Sequence, residues 1–268
     1  MKITLLGTGT SQGIPVIACD CDVCTSKDPK DNRLRSSVMV EVDDLNLVID
    51  TGPDFRQQML NSSVQNVNAI LYTHEHKDHV AGLDDVRSFN FISKKEMPVY
   101  CTSQVSEALR REFSYIFSSN RYPGVPKVKM NIITNKVFTI NNTSIIPISA
   151  LHYKLPVMGF RIKNFVYLTD VSQISEIEKN KMKNADLIIL DSLKEIQESD
   201  LIIEAIIEDS TTKKELFIKL ESIVSKDCIF ASNTSSISIT NLASSLNNPD
   251  RFIGIHFFNP APLMPLVE

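Results

Sequence analysis

Residues 72–79 read Tyr72-Thr73-His74-Glu75-His76-Lys77-Asp78-His79. The chain holds only five histidines, and three of them fall between positions 74 and 79, a concentration that a solvated polar loop does not require. The apolar run 69–72 in front of them reads as a strand that delivers these side chains to a turn. Imidazoles at alternating positions beside a carboxylate can converge on adjacent divalent cations, since imidazole nitrogen and carboxylate oxygen both suit such ions.

Working outward, apolar segments punctuated by Gly, Asp or Pro recur at 3–6, 38–42, 47–49 and 99–101, then at 137–140, 144–148, 159–162 and 166–168. Helical spacing occupies 105–117 and 174–183, and the second helix leads into the apolar run 187–190. From Asp200 the texture changes to strand 201–207, helix 212–224, strand 228–231, short helix 239–246 and strand 252–258, the rhythm of a parallel βαβ sheet. The seam lies near 193–200, which predicts domains at 1–193 and 198–268. Two similar phrases flank it, Ala185-Asp186-Leu187-Ile188-Ile189 and Ser199-Asp200-Leu201-Ile202-Ile203.

A chain of 268 residues with 43% hydrophobic residues can bury a sizeable core. Its formal charge of −4 gives no general attraction to nucleic acid or anionic membrane. The apolar start is cut short by Gly7-Thr8-Gly9, unlike a signal peptide, and no apolar run approaches the ~20 residues of a membrane span. A cytoplasmic protein with no membrane partner is expected. In that compartment thiols stay reduced, so the clustered Cys19, Cys21 and Cys24 point to metal rather than disulfide, while Cys101 and Cys228 lie in strand-like runs and read as buried apolar residues.

The run 74–79, continued by Gly82 and Asp84-Asp85, strongly resembles the HxHxDH signature of the metallo-β-lactamase superfamily. Gly7-Thr8-Gly9-Thr10-Ser11 resembles that family's opening strand and loop, and Val48-Ile49-Asp50-Thr51-Gly52 its aspartate turn. Leu151-His152-Tyr153 with Gly159-Phe160-Arg161 resembles its third histidine motif, and Tyr167-Leu168-Thr169-Asp170 its bridging aspartate. The resemblance implies an αβ/βα sandwich and a metal-dependent hydrolase. His74, His76 and His152 would hold one ion, Asp78 and His79 a second, and Asp170 would bridge. Asp78 and Asp170 would be the carboxylates nearest the chemistry, and Asp50 would steady a ligand by hydrogen bonding. Within the superfamily the likeness is greatest to the branch with ribonuclease Z and phosphoribosyl cyclic phosphate phosphodiesterase. It implies a small phosphodiester substrate, with RNA as the ribonuclease Z-like alternative. Zinc and manganese both suit the ligands, and Cys19, Cys21 and Cys24 resemble the latter enzyme's structural zinc loop.

The last 70 or so residues (198–268) differ. Leu201-Ile202-Ile203-Glu204-Ala205, Ala231-Ser232-Asn233-Thr234-Ser235-Ser236 and Gly254-Ile255-His256-Phe257-Phe258-Asn259-Pro260 resemble the later half of the NAD-binding domain of 3-hydroxyacyl-CoA dehydrogenases. There Ser235, His256 and Glu268 match the substrate-orienting serine, the catalytic histidine and its carboxylate partner, while Glu208 and Lys213 match cofactor-side positions. No G-x-G-x-x-G run exists in the chain to cradle a pyrophosphate, so NAD is not expected to bind and no cofactor-binding residue is assigned. The chain reads as a chimera of two incomplete parts: a metallo-β-lactamase sandwich incomplete at its C-terminal end, then a βαβαβ half-Rossmann segment. Against the family patterns, the first part lacks a further ligand histidine and the histidine that completes the cysteine site, so one tight and one weak ion are expected at the histidines. Three activities follow: a metal-dependent phosphodiesterase, an NAD-dependent 3-hydroxyacyl-CoA dehydrogenase fragment, or a non-catalytic metal-binding fusion. Some tail strands, 201–207 or 228–231 foremost, are expected to extend the hydrolase sheet; the competing expectation is a separate half-Rossmann lobe tethered at 193–200, since βαβαβ units carry their own pairing information.

Overall fold

The strand Ser37–Val42 shows how a period of two builds two layers at once. Val38, Val40 and Val42 enter one core with Leu47, Ile49, Phe160 and Phe165, while Met39 enters another with Val48, Ile70 and Phe55. The computed structural model describes residues 1–120, 122–190, 201–204, 209–232, 234 and 237–255. Within it the chain divides into two units, Met1–Asp191 and Ser192–Glu268.

In the first unit, β1 (Lys2–Gly7), β2 (Ser37–Val42), β3 (Leu45–Ile49), β4 (Ala69–Leu71), β5 (Met97–Cys101) and β6 (Val128–Ile132) form one sheet in chain order. The first three are antiparallel; β3 to β6 are parallel. The second sheet contains β7 (Phe138–Ile140), β8 (Thr143–His152), β9 (Leu155–Ile162), β10 (Phe165–Leu168), β11 (Gln173–Ile174) and β12 (Leu187–Leu190), ordered β11-β8-β9-β10-β12 with β7 beside β8. Helices α1 (Phe55–Asn61), α2 (Lys77–Val80), α3 (Arg87–Ser93), α4 (Ser103–Glu112) and α5 (Ser114–Phe117) give Phe55, Val80, Phe89, Leu109 and Ile116 to the outer core of the first sheet. The sheets share the middle core, and α6 (Glu176–Asn180) is pinned to β8 through Glu178. This is the αβ/βα sandwich.

The helix expected over 105–117 is two helices, because Phe113 leaves helical geometry at φ −109°, ψ 42°. Strand β6 is not among the expected strands, although Val128, Met130 and Ile132 alternate there with Lys129 and Asn131. Among the described residues no helix is long and apolar enough to cross a membrane.

The second unit has β13 (Leu201–Glu204), α7 (Ser210–Glu221), β14 (Ile229–Ser232), α8 (Ile239–Ala243) and β15 (Phe252–Gly254). Its strands correct the expectation that they extend the first sheet: β13, β14 and β15 pair with one another, all parallel, as a separate three-stranded sheet. The physical reason is local. Each strand finds a partner across a short crossover helix, and Phe217, Leu220, Phe230, Leu242 and Phe252 close a core of their own. Buried Lys213 pairs with Glu204 at 2.5 Å, and Ser232 Oγ donates to the other carboxylate oxygen at 2.7 Å.

Glu178 offers a test of the first unit's packing. It is 6% exposed and accepts from Ser149 N, Asn135 Nδ2 and Lys181 Nζ, each at 2.8 Å. Burial alone would raise its pKa, but Lys181, Asn135 and Ser149 hold it below the ordinary 4.5. A depressed carboxylate stabilises the fold fully above its unfolded value and loses that contribution as pH falls through the folded one. Urea unfolding of Glu178→Gln at neutral pH is therefore expected to show a loss of about 1–3 kcal/mol. The gap from the parent should narrow steadily below about pH 4.5; a gap that is constant with pH refutes the assignment.

Candidate metal centre

Four strand ends, two from each sheet, converge on one edge of the sandwich. Asp50 follows β3, the run 73–79 follows β4, His152 ends β8 and Asp170 lies just beyond β10. The loops are tied to one another by backbone bonds: Asp50 N to Leu71 O at 3.0 Å, Thr51 N to His79 O at 2.8 Å, and Met158 N to Thr73 O at 2.9 Å. Gly52 permits this approach, since a Cβ there would lie 2.0 Å from Asp78 O. Asp50 and Asp170 both hold left-handed backbone, φ +64° and +56°. That geometry is costly for a side-chain-bearing residue and persists only where neighbours over-determine it.

Asp50 is fully buried, and each of its oxygens is engaged. Oδ1 accepts from Thr73 N at 2.9 Å; Oδ2 accepts from Thr73 Oγ1 at 2.8 Å and from His79 Nδ1 at 2.7 Å. Those bonds place a proton on Nδ1 of both His79 and His74. His79 donates through Nδ1, which directs Nε2 toward Asp170 Oδ2 at 2.8 Å and Asp78 Oδ2 at 3.3 Å. The single Thr73 hydroxyl proton goes to Asp50, so the 3.0 Å contact between Thr73 Oγ1 and His74 Nδ1 is a bond donated by His74. His74 Nε2 therefore carries its lone pair, is buried, and has no hydrogen-bond partner among the described residues.

The two imidazoles stand in opposite charge states with ring centroids 4.2 Å apart. Burial, reinforced by the charge on His79, takes the His74 pKa down to about 4. Burial also opposes charge on His79, but the carboxylates of Asp50, Asp170 and Asp78 push it up to about 12. Burial would likewise raise Asp78 and Asp170, yet the His79 imidazolium holds both below the usual carboxylate range. The pocket thus demands positive charge, and in the protein alone a proton on His79 meets that demand.

Donor atoms of His74, His79 and Asp170 lie within 4.8 Å of one another, a spacing a metal ion can span. His76 caps the start of α2, its ring 4.6 Å from that of His74; the His152 ring lies 5.5 Å from His76 and 6.1 Å from His74. An orphaned buried nitrogen among imidazoles and carboxylates fits a divalent cation. Thr73, which the motif reading passed over, completes the arrangement; its signal was a hydroxyl placed directly before the first histidine.

The sulfurs of Cys19, Cys21 and Cys24 also lie within 4.8 Å of one another, near the about 3.8 Å that tetrahedral thiolates on zinc would require. Cys24 Sγ accepts from Val16 N at 3.3 Å, and a backbone bond from Cys24 leads the interactions holding the Cys21 thiol below its ordinary pKa. Lys213, matched by the sequence to a cofactor-side position, is buried against Glu204. Ser235, His256, Glu268 and Glu208 lie outside the described residues.

Known proteins bear on both units. The model of the β-lactamase superfamily domain matches residues 45–207, and that of the 3-hydroxyacyl-CoA dehydrogenase NAD-binding domain matches 162–268. The chain is 36% identical over 196 residues to an octanoyltransferase of Porphyromonas gingivalis, covering 72% of this chain and 39% of that protein. A 3-hydroxybutyryl-CoA dehydrogenase of Clostridioides difficile is 53% identical over 74 residues, 28% of this chain and 26% of its own length. The chain thus spans well under half of these relatives, and their names belong to whole proteins. The crystal structure of a diphosphatase from the PhnP family superposes with a TM-score of 0.65 at 31% identity, covering 86% of this chain and 85% of that one. The chain belongs to the β-lactamase superfamily, and carries fused to that fold a segment similar to part of the NAD-binding domain of 3-hydroxyacyl-CoA dehydrogenases.

Proposed function

We propose that the chain is a metal-dependent hydrolase of small phosphodiesters. The buried lone pair of His74 Nε2, aimed at a carboxylate-rich pocket and without a hydrogen-bond partner among the described residues, carries this reading. His74, His76, His152 and Asp170 would hold one ion, zinc or manganese; Asp78 and His79, with Asp170 shared, would hold a second more weakly. Divalent ions bound there supply Lewis-acid polarisation of a phosphoryl oxygen and acidify water toward a pKa of about 7.

The protein's own part is positional. Asp50 and Thr73 keep Nε2 of both His74 and His79 facing inward, a constraint on ligand direction that metal sites depend on. The Asp78 and Asp170 side chains remain 18% and 30% exposed, so they stand at the solvent side and can receive a proton released in hydrolysis. Cys19, Cys21 and Cys24 would take a structural zinc, since three local thiolates supply most of such a site's affinity. The second unit enters this reading as structure, without a chemical role.

Two measurements test it. Protein loaded with zinc or manganese and passed through gel filtration should retain near one ion per chain at the histidines, counted in a Cys19→Ser/Cys21→Ser/Cys24→Ser background, and should cleave bis(p-nitrophenyl) phosphate. Retention without turnover would favour a metal-binding fusion with no catalysis, and two equally tight ions would overturn the unequal sites. The second concerns Thr73→Val, which keeps the backbone bond to Asp50 but removes the hydroxyl. Metal affinity by competition titration should fall about 10- to 100-fold. Unchanged affinity would show that the hydroxyl does not orient His74.

A further inference from the structure

Tyr153 follows the candidate ligand His152 and is 82% exposed, with its ring edge-on to that imidazole at 5.8 Å between centroids. Together with Lys154 it forms the two-residue turn between β8 and β9, where His152 pairs with Leu155. Its φ is +56°, the left-handed region that such turns normally fill with Gly, Asn or Asp. A bulky aromatic there works against turn propensity, and no burial compensates it. Strain of this kind concentrates where function holds it in place.

The backbone around the ring is fixed while the ring itself is free. Tyr153 N donates to Ser172 Oγ at 2.6 Å, and Ser172 Oγ and N both donate to Leu151 O, at 2.8 and 2.7 Å. The loop following Asp170 and the turn following His152 are thereby stitched together, so Tyr153 is held in a constant position relative to both candidate ligands. Its hydroxyl has no hydrogen bond among the described residues. A flat, amphipathic face anchored by its backbone beside the candidate ligand His152 is suited to stacking one planar ring of a molecule whose anionic group would bind the metal-loaded pocket.

We infer that Tyr153 is a specificity-determining residue, a platform for an aromatic ester arm, and that the favoured substrates are phosphodiesters bearing a nucleoside-like ring; this rests on the hydrolase reading above. The phosphate lies at the histidines and the ring on Tyr153. A diester lacking the ring would use the same histidines and carboxylates but forgo the stack.

The test compares ligands that share the phosphate and differ in the ring. Calorimetric titration of the metal-loaded protein with adenosine 5′-monophosphate and ribose 5-phosphate should favour the former by about 5- to 150-fold, the range one base–aromatic stack provides. Tyr153→Phe should keep that preference. Tyr153→Gly, which relieves the left-handed strain and so preserves the turn, should bring the affinity ratio to near unity. The KM ratio between thymidine 5′-(p-nitrophenyl phosphate) and ethyl p-nitrophenyl phosphate, which share a leaving group, should move in parallel. Equal affinities in the parent protein, or a preference that survives in Tyr153→Gly, overturn the role of Tyr153 while leaving the hydrolase reading intact. If neither phosphate binds and neither diester is cleaved, both fall together.

Discussion

The arrangement of the first unit turns on one buried carboxylate. Asp50 has no exposure to water and must find all its hydrogen bonds inside the protein, because an unpaired ionised carboxylate in the interior costs several kcal/mol. It finds them in Thr73 and His79, the residue before the histidine run and the one that ends it. A single side chain at the end of β3 thereby fixes the path of the loop after β4. The left-handed backbone of Asp50 and the close passage of Gly52 past Asp78 O are local costs that these bonds offset.

From that constraint the electrostatics follow. Asp50 leaves His79 Nε2 facing two further carboxylates, and their combined field keeps His79 charged despite burial. The same carboxylate, acting through the Thr73 hydroxyl, leaves His74 with an inward lone pair in a setting too dry to protonate it. The charge on His79 itself disfavours a second proton on His74. Here hydrogen-bond direction assigns one to carry a proton and the other to offer a donor. A cation entering the pocket takes the place of the proton on His79 Nε2 and meets side chains already aimed, so little rearrangement beyond that proton's release is needed.

Much of this was legible because it is written in local spacing. Punctuated apolar runs marked β2 and β3, and the motif His74-Glu75-His76-Lys77-Asp78-His79 announced donors whatever the fold around it. The distant members, His152 and Asp170, were legible only through resemblance, since nothing in a lone strand-end histidine or aspartate declares its partners. Thr73 and Tyr153 were passed over for related reasons. The role of Thr73 depends on counting one hydroxyl proton between two acceptors, and that of Tyr153 on a backbone angle and an exposure, none of which exists in a string of residue types. The tail's pairing stood between two outcomes, and the favoured one failed, because apolar strands predict burial without naming the partner strand; the crossover helices of the βαβ units supply that partner locally, as the competing picture had it.

The two units also separate a structural ion pair from a ligand site by the same accounting. In the second unit Lys213 is buried without exposure, and resemblance alone would assign it to a cofactor. Its ammonium, however, bonds Glu204 Oε1, and Ser232 occupies the opposite oxygen, so donor and acceptor charges close on each other and tie β13, β14 and α7 together. A buried charge already matched in this way gives the fold specificity at little net gain, and withdrawing it to serve a ligand would leave Glu204 uncompensated. In the first unit the balance is left open: three carboxylates surround one protonated imidazole, and a neighbouring nitrogen points inward unmatched. That imbalance marks the histidine pocket, and not the buried lysine, as built to receive something.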